Sequence, residues 1–167
     1  MGKKKVHAAT PALKVLEESQ TRYVTHCFSA GTSHFGQEAA EALQVSPERV
    51  FKTLMVDLTA GVGPKRKLAV ACLPVAYQLS LKKAAAALGV PKVTMADPHD
   101  ASKSSGYIPG GISPLGQKTP VPTVLDESAQ LFDTIFVSGG KRGLDVELSA
   151  DDLVHLTNAK VADIAAI

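Results

Sequence analysis

The chain is poor in the residues that most often give away a chemistry. It has no tryptophan, and aromatic residues fill 5% of its 167 positions, too few for a platform on which successive bases stack. It has two cysteines, Cys27 and Cys72, which stand far apart in neither a C-x-x-C nor a zinc-binding spacing. That fits reduced, partly buried thiols in a cytoplasmic protein rather than a disulfide scaffold or a zinc site. The five histidines, His7, His26, His34, His99 and His155, match no H-E-x-x-H or paired-ligand spacing, and there is no G-x-S-x-G elbow. His26 beside Cys27 makes no catalytic pair by adjacency, because neighbouring strand side chains point to opposite faces. Neither a metal nor a cofactor is expected. No apolar run is long enough to span a bilayer, and the basic Lys3-Lys4-Lys5 is followed by no apolar signal segment, so no membrane association is expected. A net charge of +2 does not demand a nucleic-acid partner and leaves room for contact with an RNA end.

What is present is a 45% apolar composition in alternating apolar and polar runs, the mark of a globular chain. The length predicts one domain over 1–167, with residues 1–8 expected to be a flexible basic arm. Thr10-Pro11 predicts a capped first helix through Glu17. Strands are expected at 23–28, 50–58, 67–73, 92–95, 123–125, 134–138 and 144–148, and a final short strand at 161–164. Helices are expected at 37–43, at 82–88 behind Ser80, after Asp97, and from Ser149 to Leu156. Gly31-Thr32-Ser33 and Gly61-Val62-Gly63-Pro64 predict loops. With no regular βαβ repeat, the order predicts an α+β fold with a mostly antiparallel, barrel-like mixed sheet surrounded by helices.

Two glycine-dense stretches stand out: Gly106-Tyr107-Ile108-Pro109-Gly110-Gly111-Ile112-Ser113-Pro114-Leu115-Gly116 and Ser138-Gly139-Gly140-Lys141-Arg142-Gly143. Exposed backbone N–H groups in such loops suit a phosphate, a carboxylate or a developing oxyanion. An Ω-loop and a tight hairpin turn are the structural alternatives. The first is no P-loop: Gln117 separates Gly116 from Lys118, and Pro120 and Pro122 block the helix that must follow. Lys52 shares a strand face with Val50, Leu54 and Val56. A lysine there either snorkels to water or meets a ligand. Asp145, at the start of a strand, either caps a loop or holds an amine or hydroxyl. Basic clusters at Lys3-Lys4-Lys5, Lys65-Arg66-Lys67, Lys82-Lys83 and Lys141-Arg142 are surface groups that together could steer a polyanion.

Taken in order, several segments resemble the YbaK family of aminoacyl-tRNA deacylases, relatives of the editing domain inserted in bacterial prolyl-tRNA synthetases. They are Phe35-Gly36-Gln37-Glu38-Ala39-Ala40, Val50-Phe51-Lys52-Thr53-Leu54, Leu81-Lys82-Lys83-Ala84, Met95-Ala96-Asp97, Ser105-Gly106-Tyr107, Gly110 to Lys118, and Val137 to Leu144. The resemblance is nearer to the branch acting on Cys-tRNA(Pro) and Cys-tRNA(Cys) than to the alanine-specific one.

It implies that Lys52 is the essential lysine. It also implies that Gly106-Tyr107-Ile108-Pro109-Gly110 is the G-x-x-P-G element, and that Gly110, Ser138 and Asp145 are active-site residues. Backbone N–H groups of Gly110 and Gly111 would then hold the oxyanion, and Lys52 the aminoacyl or 3′-phosphate end. Ser138 and Asp145 would position the ribose or the α-amine, with Phe28, Gly106, Tyr107, Pro109, Gly139 and Gly140 contacting substrate. Phe28 stands where many relatives carry a tyrosine, and Tyr23 is not assigned to that role.

In the family, the cysteinyl thiol is thought to attack its own ester carbonyl, which fits the lack of an obvious protein nucleophile here. The chain is expected to act in trans on the aminoacyl-tRNA acceptor end, in a transient complex with prolyl-tRNA synthetase. An Ala-tRNA(Pro) deacylase and a non-catalytic module that captures a tRNA 3′ end or a nucleotide are the alternatives.

Overall fold

The buried strand Leu68-Ala69-Val70-Ala71-Cys72-Leu73-Pro74 organises the fold, because its two faces serve different apolar layers. Leu68, Val70 and Cys72 join one hydrophobic cluster, while Ala69, Ala71 and Leu73 enter two others, as period-2 alternation requires of a strand covered on both sides. The structure is a computed structural model and describes residues 10–29 and 35–167. The basic arm over 1–8 and the Gly31-Thr32-Ser33 loop lie outside the described residues.

Five α-helices and ten strands are described: β1 (Val24–Cys27), β2 (Phe51–Asp57), β3 (Leu68–Pro74), β4 (Gln78–Leu79), β5 (Thr94–Met95), β6 (Thr123–Asp126), β7 (Ile135–Lys141), β8 (Leu144–Leu148), β9 (Lys160–Ala162) and β10 (Ala165–Ala166), with α1 (Pro11–Ser19), α2 (Phe35–Leu43), α3 (Leu81–Leu88), α4 (Pro98–Ser105) and α5 (Ala150–Thr157). The helix starts follow from side-chain capping. Thr10, Ser80, Asp97 and Ser149 each accept a backbone N–H from the first turn that follows them, and Gly89 and Gly106 close α3 and α4 in the left-handed conformation.

The main sheet has the order β5-β2-β3-β6-β9, with β2 antiparallel to β3 and β5, and β6 parallel to β3 and β9. A second, antiparallel sheet has the order β1-β8-β7, and β4 pairs with β10. The α+β class and the mixed sheet stand. The barrel-like character stops short of closure: among the described residues the two larger sheets meet through one isolated parallel bridge, Val50–Phe136.

Those two sheets enclose the largest apolar cluster between them. Phe51, Met55, Leu68, Val70 and Cys72 face Ile135, Val137, Leu144, Val146 and Leu148, with α1, α4 and α5 contributing Leu16, Ala101 and Leu153. The outer face of the main sheet is covered by α3 through Ala84 and Ala85. Helix α2 lies over the seam between the sheets, packing Ala39 and Ala40 on Val50 and Phe136. From Gly106 to Pro122 there is no helix or strand. That segment is anchored by Tyr107, whose buried hydroxyl donates to the Leu115 carbonyl at 2.6 Å. Among the described residues no helix is long and apolar enough to cross a membrane.

Candidate active site

Because Phe51 and Met55 point into the core, the intervening Lys52 and Leu54 point outward from β2. In β8 the same alternation buries Leu144, Val146 and Leu148 and turns Asp145 and Glu147 to the other face. The sheets diverge from the Val50–Phe136 bridge, and a cavity of about 380 Å³ opens along this seam. Its walls are Val50 to Leu54 of β2, Gly36, Glu38 and Ala39 at the start of α2, Phe28 after β1, Gly110 and Ile112 of the long loop, and Ser138, Lys141, Arg142, Gly143 and Asp145.

Lys52, Gly110, Ser138, Asp145 and Phe28 therefore come together around one space. Lys52 is half-buried, and burial lowers its pKa from the ordinary lysine value by disfavouring the charged form. No ion pair or hydrogen bond engages its ammonium among the described residues. Asp145 is buried, and burial pushes its carboxyl up to about 7. It lies directly across from Ser138 on β7 and His26 on β1, so these three side chains share a face.

His26 does not pair with Asp145. Its Nε2 lies 2.9 Å from Glu147 Oε1, and Arg49 Nη2 lies 3.0 Å from the other oxygen of Glu147. The Thr134 hydroxyl, aided by His26 and the Arg49 guanidinium, holds the Glu147 carboxyl below its usual range despite partial burial. Glu147 thereby takes both neighbouring side chains, and Asp145 is left facing the cavity.

Two loops set the backbone of the site. A register shift between Ser138 and Lys141 lifts Gly139 and Gly140 out of the β7–β8 ladder. The Gly140 N–H donates to Ser138 Oγ at 3.0 Å, and the Thr10 hydroxyl donates to the Gly139 carbonyl at 2.6 Å. A Cβ on Gly111 would stand 2.8 Å from Lys141 Cα, so glycine is what lets the loops touch. Arg142 Nε donates across them to the Pro109 carbonyl at 3.0 Å.

Gly106, Tyr107, Pro109, Gly111, Gly139 and Gly140 do not line the cavity; they build the framework behind it. Tyr107 is a core side chain whose hydroxyl burial pushes up to about 12. The Gly111 amide, expected as an oxyanion donor, instead donates to the Ile108 carbonyl at 3.0 Å. The Gly110 amide has no partner among the described residues. Glu38, Ala39, Val50, Phe51, Thr53, Leu54 and Ile112 also form walls; each lies in a segment that carries the family resemblance, but none was assigned a site role from the sequence.

A half-buried lysine, a buried aspartate and a glycine amide with no partner among the described residues thus face one seam cavity. The chain belongs to the aminoacyl-tRNA editing domain family, which it matches over residues 30–156. It is 39% identical over 98% of both chains to the Enterococcus faecalis protein named "Putative Cys-tRNA(Pro)/Cys-tRNA(Cys) deacylase EbsC". It is 30% identical to Bacillus subtilis YwhH, over 75% of this chain and 76% of that protein. Among solved structures, "a putative trans-editing enzyme for prolyl tRNA synthetase" superposes with a TM-score of 0.78 at 26% identity, covering 98% of this chain and 100% of that one.

Proposed function

We propose that this protein deacylates mischarged Cys-tRNA(Pro), and Cys-tRNA(Cys), in trans, with the substrate's own thiol as nucleophile. One observation carries the reading: among the described residues no cysteine or histidine lines the cavity, so its two hydroxyls, Ser138 and Thr53, have no imidazole base beside them there to activate them. An attacking atom that arrives with the substrate accounts for such a lining. Cysteine supplies it.

In this reaction the cysteinyl sulfur bonds to the ester carbonyl carbon and the bond from that carbon to the ribose oxygen breaks. The thiol gives up one proton and the ribose oxygen gains one, leaving a strained cyclic thioester and free tRNA with no change in oxidation state. The site contributes orientation, by holding sulfur against carbonyl, and charge. The Gly110 amide is the oxyanion donor; one such donor contributes about 3 kcal/mol to transition-state binding. Lys52 anchors the anionic 3′ end, and ionised Asp145 with Ser138 holds the α-amine or ribose. Phe28 closes the side of the cavity without a hydroxyl. Gly111, Gly139, Gly140 and Tyr107 act by holding the loops. A transient complex with prolyl-tRNA synthetase delivers the tRNA, in the cytoplasm where charging occurs.

The test is release of amino acid from Cys-tRNA(Pro), Ala-tRNA(Pro) and Ser-tRNA(Pro), with wild type beside Lys52→Ala. Cleavage of the cysteinyl ester alone, reduced about 100-fold or more by the substitution, is the expected result. Cleavage of the alanyl or seryl ester at a comparable rate would remove the thiol from the mechanism. Binding without cleavage of any ester would make the cavity a capture site.

A further inference from the structure

A second concavity lies at the far end of β2, away from the seam. It is an open groove of about 750 Å³ between the β2–β3 turn, the end of α4 and residues 118–122. Five cationic side chains line it, Lys65, Arg66, Lys67, Lys103 and Lys118, against the single acid Asp100. The four lysines are exposed, and none makes an ion pair among the described residues. Like charges that outnumber the acids on one surface repel one another, and an arriving polyanion relieves that repulsion.

The groove has fixed walls. Asp57 is buried, which alone would raise its pKa, but the hydroxyl and amide of Thr59, the Gly61 amide and Arg66 hold it ionised below the usual range. The Leu58 amide donates to the Lys67 carbonyl at 2.7 Å, and the Lys118 amide donates to the Ser105 carbonyl at 2.9 Å. The lysines thus project from a braced turn on one wall and from the α4 terminus with its pinned neighbour on the other.

The groove is connected to the catalytic seam in two ways. The single segment 106–122 places Gly110 and Ile112 at the cavity and Lys118 to Pro122 at the groove. Lys52 near the start of β2 and Leu58 just past its end are six residues apart, a separation of about 20 Å. A few unpaired nucleotides span such a distance.

We propose that this groove binds the phosphate backbone of the tRNA acceptor stem while the unpaired 3′ end carries the ester into the cavity. The inference rests on the deacylase reading for its choice of polyanion and adds a binding surface that the cavity does not supply. Contacts of this kind are independent of sequence and depend steeply on salt.

The test compares wild type with the quadruple variant Lys65→Gln, Lys67→Gln, Lys103→Gln, Lys118→Gln. Binding of deacylated tRNA and of an acceptor-stem minihelix is measured across a salt series. Cleavage of 3′-cysteinyl-adenosine, which has no stem, is measured alongside. The variant is expected to bind both RNAs about tenfold or more weakly at low salt, with a log–log salt slope shallower by about 3, and to cleave cysteinyl-adenosine like wild type. Equal affinity and slope in variant and wild type, a loss seen with tRNA but not with the minihelix, or no RNA binding by wild type would each overturn the proposal. Failure of wild type to cleave either cysteinyl-adenosine or Cys-tRNA(Pro) would overturn the deacylase reading instead, and the binding series would still decide the groove.

Discussion

Asp145 shows how a site residue is set by what its neighbours leave undone. Glu147, two positions on and on the same face, is paired with His26 and Arg49; Asp145 has no such partner among the described residues, and burial raises its carboxyl from 3.8 to about 7. A raised folded-state pKa means that the fold prefers the protonated form. That contribution to stability is complete below about pH 4 and is lost as pH rises to 7, and a shift of this size corresponds to about 4 kcal/mol. Asp145→Asn, which cannot ionise, is therefore expected to be more stable than wild type by up to about 4 kcal/mol at pH 8 and no more stable at pH 4, measured by urea unfolding at both. Activity should move the opposite way. Wild-type deacylation rises through about pH 7 as the carboxylate forms, whereas the variant stays low and flat over that range. A stability gain with full activity would make Asp145 a structural residue only.

The elements divide into those specified by local side-chain chemistry and those specified by distant partners. Thr10, Ser80, Asp97 and Ser149 announced helix starts because a capping oxygen needs only the turn that follows it. The face that Lys52 shares with Val50, Leu54 and Val56 was legible from alternation in the same way. The two-residue pairing of Gln78–Leu79 with Ala165–Ala166 was not, since neither piece has a pattern without the other. The cavity was legible only as a set of residues. Its existence depends on where two sheets separate beyond Val50–Phe136, and its missing Gly111 donor depends on a turn closed by Ile108. The bulge at Ser138–Lys141 is the element most exposed to test. Gly140 has φ of +106°, and a Cβ there would stand 2.8 Å from Thr10 Cβ and 2.9 Å from Tyr107 Cε1. Gly140→Ala should cost about 2–3 kcal/mol and lower kcat by displacing Ser138. Thr10→Val, which removes the α1 cap and the bond to Gly139, should cost about 1–2 kcal/mol. Chemical denaturation and single-turnover cleavage read the two effects separately, and an unchanged kcat in a folded Gly140→Ala protein would detach the bulge from the site.

At the scale of the whole molecule, the layers on either side of the main sheet are made by alternate residues of the same strand. Opening β3 locally would break its ladders to both β2 and β6 and expose three apolar clusters at once, so the core is expected to open as a single cooperative unit. Cys72 reports on this directly. It is fully buried at the middle of β3, and burial pushes its thiol up to about 12; Cys27 is exposed at the end of β1. A thiol reagent should modify Cys27 rapidly in the native protein and Cys72 only through unfolding. In a Cys27→Ser background, the free energy obtained from the Cys72 labelling rate should equal that from the loss of circular dichroism and fall with urea at the same slope. Labelling at a free energy well below the global value would show that the sheet opens on one side at a time. The two apolar faces of β3 would then be independent layers, and the seam that holds Lys52 and Asp145 could move without unfolding the rest.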